Sequence, residues 1–267
     1  MNKIGLLFLV SVSLSNFSFA DISGKEIMTK NEEARKVKEF QTRAKLTTGT
    51  VGDASTPKIK DFTLWRKVQP DGTHNSTLTR FHAPAEVRDE GILIIENASG
   101  KNDVLLYLPN FKKTRRVESQ QQSGSFMGSV FSYSDIATPH VDDYQYKVIG
   151  TEKCTGDAKL MCYKIECTPS SEEIKDRTGY SKSTVWVRPD NFMVEHAEYF
   201  QDAKLWKVLK ASEIKMVDTK NHKWLAHNLS ITNQTTKEYT VLQFSEVQVD
   251  SGISDALFTQ QNLQKVK

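Results

Sequence analysis

The chain is poor in the features that announce most functional classes. Three cysteines in 267 residues are too few to build a disulfide scaffold of this size. The 36 basic residues stand against 33 acidic ones, a formal charge of +3, so the strong basic excess of a nucleic-acid-binding domain is missing. No Pro/Ser/Gly-rich linker divides the chain and no internal repeat is visible. Past the first twenty positions no apolar run reaches the ~20 residues of a spanning helix. A phosphate loop and a dinucleotide fingerprint are both absent. In Gly124-Ser125-Phe126-Met127-Gly128 the serine stands one place too early for a nucleophile elbow. The six histidines, at 74, 82, 140, 196, 222 and 227, show no metal-ligand spacing. His222 and His227 differ by five and so face opposite ways on a strand. The sequence therefore points away from an enzyme, a metal site or any other cofactor.

What is present begins with an address. Lys3 supplies a positive start, an apolar stretch opens at Ile4, and Ser18-Phe19-Ala20 places small residues at −3 and −1 of a cut before Asp21. This is the pattern of a secretory signal peptide over residues 1–20, cleaved after Ala20. Ser11, Ser13, Ser15 and Asn16 interrupt the stretch and leave it too short for a membrane anchor. No cysteine follows the cut, so a lipid attachment point of the bacterial kind is missing. The expectation is one domain over residues 21–267, soluble, outside the cytoplasm and most simply in a bacterial periplasm.

Cys154, Cys162 and Cys167 surround a Thr155-Gly156-Asp157 turn. If 147–154 and 161–168 form a hairpin, Cys154 and Cys162 meet across it, the candidate disulfide. Cys162 and Cys167 point to opposite faces, and the close pairs of a zinc site are lacking.

Ser23 and Glu26 stand at capping-box spacing, and Ile22, Ile27, Ala34 and Val37 give a partial apolar stripe, so a helix is expected over 22–37. Strands follow over 61–69, 78–83, 91–96, 103–108, 144–151, 161–167, 183–188, 193–200, 205–213, 225–231 and 238–249, with tight connections that imply antiparallel neighbours. Ile92 and Ile94 oppose Leu93 and Ile95; Val104, Leu106 and Leu108 oppose Leu105 and Tyr107. Such strands are covered on both sides. A mainly antiparallel α+β fold results, either a curved sheet with something packed inside it or a filled sandwich.

The stretch 81–136 is distinctive. It contains Phe81-His82-Ala83-Pro84, Tyr107-Leu108-Pro109, Lys112-Lys113-Thr114-Arg115-Arg116 and Phe126-Met127-Gly128-Ser129. Downstream come Val185-Trp186-Val187, Glu195-His196-Ala197-Glu198-Tyr199-Phe200, Leu205-Trp206-Lys207 and Gly252-Ile253-Ser254-Asp255. These blocks resemble the outer-membrane lipoprotein-sorting proteins, in the superfamily of the periplasmic lipoprotein carrier and its receptor (LolA/LolB-like). That family often has an acidic residue after Gly-Ser, where this chain has Val130.

The resemblance implies an incomplete, half-open antiparallel β-barrel of ten or more strands with helices across its concave face. It also implies an apolar cavity for acyl chains and a carrier of lipid or acylated lipoprotein travelling towards the outer membrane. The alternative is a periplasmic partner or lipid-sensing subunit of an inner-membrane transporter or signalling protein. Candidate cavity residues on the cover are Phe126, Met127, Phe131 and Tyr133, flanked by Gly124 and Gly128. On the sheet they are Leu106, Leu108, Trp186, Phe200, Trp206, Leu242 and Phe244. Ordinary core packing uses the same residue types. Lys112, Lys113, Arg115 and Arg116 are candidates for docking to lipid headgroups or an acidic partner, or simply guard a strand edge.

Overall fold

A computed structural model describes residues 22–98 and 101–265; the expected leader over 1–20 lies outside them. Helix α1 runs Gly24–Arg35. Ser23 caps it, its hydroxyl accepting from the Glu26 N–H while the Glu26 carboxylate accepts from the Ser23 N–H. The reciprocal bond satisfies donors that a helix start leaves open. The stripe buries Ile27 against the strands described next.

Thirteen antiparallel strands form one sheet. They are β1 Glu39–Thr50, β2 Lys58–Val68, β3 Asn75–Ala83, β4 Gly91–Ile95, β5 Asp103–Leu108, β6 Lys113–Arg116 and β7 Tyr144–Lys153. The rest are β8 Met161–Pro169, β9 Lys182–Val187, β10 Val194–Gln201, β11 Lys204–Asp218, β12 Lys223–Asn233 and β13 Glu238–Val249. The spatial order is β6-β5-β4-β3-β2-β1-β13-β12-β11-β10-β9-β8-β7. The chain starts in the middle, winds out to one edge, reappears at the other and winds back until β13 pairs with β1. The sheet is open, as a half-open barrel requires.

Two strands were not expected, β1 and β6. The edge strands β6 and β7 are consecutive in the chain. Residues 117–143 must therefore cross from one edge to the other, and their buried Val117, Phe126, Phe131 and Ile136 join the inner-face core. This crossing is the cover. It includes the short helix α2, Tyr133–Ile136.

The two-sided strands behave as their pattern demands. Ile92, Ile94, Val104 and Leu106 belong to the inner core. Leu93, Leu105 and Tyr107 belong to an outer cluster closed by Ile253, Phe258 and Leu263 of the C-terminal segment. Gly91 lets that segment approach: a Cβ there would lie 2.7 Å from Leu263 Cδ1.

Candidate functional site

Between the inner face, α1 and the cover lies a cavity of about 330 Å³. That is at the low end of the ~300–1,000 Å³ of small-molecule sites. The sheet contributes Phe40, Phe62, Leu64, Leu229, Leu242 and Phe244 to its wall, and the cover contributes Phe126, Phe131 and Ile136. Period-2 alternation explains the sheet side: Phe62, Leu64 and Arg66 share one face of β2 and all three line the cavity.

The cover is folded locally. Met127 and Gly128 both take positive φ (53° and 73°), as the two central residues of a tight hairpin turn do. The Ser129 N–H donates to the Phe126 carbonyl at 3.0 Å and the Phe126 N–H to the Phe131 carbonyl at 2.7 Å. The turn points both phenylalanines inward; Phe126 is fully buried and stands 6.4 Å from Phe62 and 6.2 Å from Phe81, ring centre to ring centre. Val130 donates its N–H to Thr240 Oγ1 of β13 at 2.9 Å. Here the backbone makes the polar contact, whatever side chain follows Gly-Ser. Behind α2, Asp135 accepts from the Tyr180 hydroxyl at 2.8 Å and lies 3.6 Å from Lys207 Nζ. Burial pulls the Lys207 ammonium below the usual lysine range, against the pull of Asp135.

Of the eleven candidate cavity residues, Phe126, Phe131, Leu242 and Phe244 line the wall. Leu106, Met127 and Tyr133 pack against the inner core without reaching the cavity. Leu108 is half-buried beside Lys113 at the edge. Three aromatic positions need correction. Trp186 faces outward, where it covers the Cys154–Cys162 disulfide and donates its indole N–H to Glu152 at 3.0 Å; its neighbour Val185 lines the cavity instead. Phe200 lies under Lys182, 5.1 Å from ring centre to Nζ. Trp206 lies 4.3 Å from Lys207 Nζ and edge-on to Tyr180. Of the three, only Trp186 has a polar group seated on a partner; Phe200 and Trp206 lie against lysine ammonium groups on the parity opposite Tyr199 and Leu209, which line the cavity. Cys167, five residues from Cys162, lines the cavity, and burial pushes its thiol up to about 12. Lys112, Lys113, Arg115 and Arg116 are exposed at edge strand β6, where Arg116 pairs with Asp103.

The cavity also has a charged end. Arg35 and Glu32 come from α1, Arg66 from β2, and Asn75 and Thr138 from β3 and the cover. Just behind stand Glu96, 1% exposed, and His140. The His140 ring lies between two carboxylates, Nε2 3.3 Å from Glu96 and Nδ1 3.8 Å from Glu32. Those carboxylates raise His140 to about 9. Burial alone would raise Glu96, but His140, Arg66 and the Thr138 N–H outweigh it and hold that group at about 2. Neither the arginines nor this ion cluster stood out in the sequence. The partners lie far apart along the chain and match no motif; the one cue was that Glu96 ends an apolar strand.

A family model described only as an uncharacterized protein matches residues 73–265. No curated protein sequence matches the chain. Among solved structures, a putative outer membrane lipoprotein-sorting protein domain from Vibrio parahaemolyticus superposes with a TM-score of 0.81 at 23% identity, covering 91% of this chain and 98% of that one. A DUF1329 family protein from Desulfovibrio piger gives 0.81 at 26% identity, covering 90% and 97%. A LolA superfamily protein from Nitrosomonas europaea gives 0.69 at 20% identity, covering 90% and 99%.

Proposed function

The chain belongs to the family whose model spans residues 73–265 and has the fold of LolA-like proteins, and from that premise we propose that it is a periplasmic lipid- or lipoprotein-binding carrier, holding acyl chain in its cavity on the way towards the outer membrane. The observation that carries this reading is the cavity itself: a mainly apolar slot, walled by Phe62, Leu64, Leu242 and Phe244 and roofed by Phe126 and Phe131.

Each methylene removed from water is worth ~0.8 kcal/mol, so a sixteen-carbon chain brings roughly 12 kcal/mol at most. A carrier needs a wall that recovers much of this and a roof that can yield, since the cargo must leave again. The roof here is a single chain crossing, held to the sheet by a few polar contacts such as Val130 to Thr240. No helix among the described residues is long and apolar enough to cross a membrane. This suits a carrier that meets membranes without residing in one.

The test is native mass spectrometry of protein prepared from the periplasm without detergent. The expected result is an adduct of acyl-lipid mass, lost on solvent extraction and restored by added lipid. Protein that is adduct-free and takes up no acyl probe after extraction would overturn the reading.

A further inference from the structure

The charged end of the cavity holds three cations, Arg35, Arg66 and His140, against two carboxylates, Glu32 and Glu96, and neither arginine is in ion-pair contact with a carboxylate of the described residues. Arg35 stands in the last turn of α1 and Arg66 on the inner face of β2, and both line the cavity. The two carboxylates beside them are engaged elsewhere. Glu32 accepts from the Val141 N–H at 2.9 Å and faces His140. Glu96 accepts from the N–H groups of Asn75 at 2.7 Å and Thr138 at 2.8 Å, and faces the other side of the same ring. Among the described residues no carboxylate lies within ion-pair distance of either guanidinium.

The hydrogen bonds of both go to neutral groups, and Glu96 and, for Arg35, Glu32 act on them only from a distance. Arg66 donates to the Ile136 carbonyl at 2.7 Å and the Thr77 hydroxyl at 3.0 Å. Arg35 donates to the Pro139 carbonyl, and its Nε is buried without a hydrogen-bond partner. A guanidinium carries five N–H donors in a planar fork that matches a carboxylate or phosphate. Withdrawing such a charge from water without a counter-ion is costly. Burial accordingly draws both groups below the usual arginine range. The fold thus maintains a corner of net positive charge, with guanidinium donors left unfilled, beside an apolar slot.

The geometry of the slot matches that corner. Arg66, Leu64 and Phe62 follow one another along the inner face of β2, so at ~3.3 Å per residue the apolar wall runs about 13 Å from the arginine to Phe62. Arg66 therefore continues an apolar wall of that length, and the volume is that of a small ligand.

We infer that Arg35 and Arg66 form an anion subsite, and that the cavity takes an amphiphile with one acyl chain and an anionic head, a carboxylate or a phosphate monoester. The inference rests on the carrier reading and narrows it: the head enters as the missing counter-ion, the chain fills the wall between Leu64 and Phe244.

Solvent-extracted full-length protein is titrated with hexadecanoate, hexadecyl phosphate and hexadecanol, each below its aggregation limit, in competition with a fluorescent apolar probe. At least one anionic compound is expected to displace the probe at tenfold lower concentration than the alcohol, and the order of the two anions tells which head is preferred. In Arg35→Gln/Arg66→Gln the ratio of anion to alcohol is expected to fall towards one. The comparison in the unmodified protein needs no variant to fold. Equal displacement by all three would overturn the anion subsite while the carrier reading stands. Displacement by none of them, with no binding of the probe, would overturn both.

Discussion

Glu96 is a carboxylate almost wholly out of water, and it is tolerated because every side of it is answered. Asn75 and Thr138 donate backbone N–H groups, Asn75 adds its side-chain amide at 3.0 Å, and His140 brings a charge. The Glu32–His140–Glu96 sandwich joins α1, β4 and the cover. Its stability follows from the displaced pKa values. His140 is raised from 6.5 to about 9, so its contribution is fully present below about pH 6.5 and is lost as pH rises through 9. Glu96 is lowered from 4.5 to about 2, so its contribution is present above about pH 4.5 and is lost as pH falls through 2. The alkaline loss has a ceiling of roughly 3 kcal/mol. Thermal unfolding should therefore show a flat maximum between pH 4.5 and 6.5 and a decline towards pH 9. In His140→Gln the decline over that upper range should flatten. An equally steep decline in the variant would assign it to other groups. None of this was readable in advance: Glu32, Glu96 and His140 are ordinary polar residues until the cover folds back.

At the scale of elements, most strands were legible because their apolar residues alternate or run together, as in β4 and β5. β1 was not, although it lies at the centre of the sheet between β2 and β13. Its inner face is Phe40, Thr42, Ala44 and Leu46, all buried, but threonine and alanine give little apolar signal. Central position, not hydrophobicity, buries them. β6 has four residues, three of them basic, and exists because β5 offers it a ladder. The aromatic residues misplaced from sequence share one cause. Strand alternation says that Trp186 opposes Val185 and Val187, but it does not say which parity faces the cavity. The hairpin of β7 and β8 was legible, and it carries a disulfide, Cys154–Cys162, with Cα atoms 5.1 Å apart. Closing so short a loop is worth about 2–3 kcal/mol, and for a chain of this size 1 kcal/mol moves Tm by ~2–4 °C. Reductant should therefore lower Tm by about 5 °C or more, and Cys154→Ser/Cys162→Ser should reproduce the shift without reductant. Without reductant, unfolded protein should label at one thiol, Cys167, and native protein at none, since Cys167 is buried and its thiol stays protonated. Rapid labelling of Cys167 in the native protein would show that the inner face is open to water.

The whole molecule is governed by one topological fact. β6 and β7, the two edges of the sheet, are neighbours in the chain, so the segment between them has to span the mouth of the half-barrel. The half-open barrel and its cover were expected only through family resemblance; composition and alternation were equally content with a filled sandwich. The division of labour is physical. The sheet's ladders are long and mutually paired, while the cover has no ladder: it packs Phe126, Phe131 and Ile136 on the core and is otherwise held by single contacts such as Val130 to Thr240, Arg66 to Ile136 and Asp135 to Tyr180, and by the Glu96 cluster at Thr138 and His140. Local opening takes the segment with the fewest cooperative contacts, so the cover should open while the sheet stays folded. A ligand seated under Phe126 and Phe131 adds apolar contacts to the roof and so opposes that opening. Hydrogen exchange on the minutes-to-hours scale reads this directly. Extraction of bound lipid should speed exchange several-fold over 122–141, and amides at the centres of β1, β2 and β13 should be unchanged. Re-addition of an acyl ligand should restore the slow rate. Exchange that rises evenly over sheet and cover, or not at all, would mean that the crossing is part of a rigid core and that cargo enters by some other route.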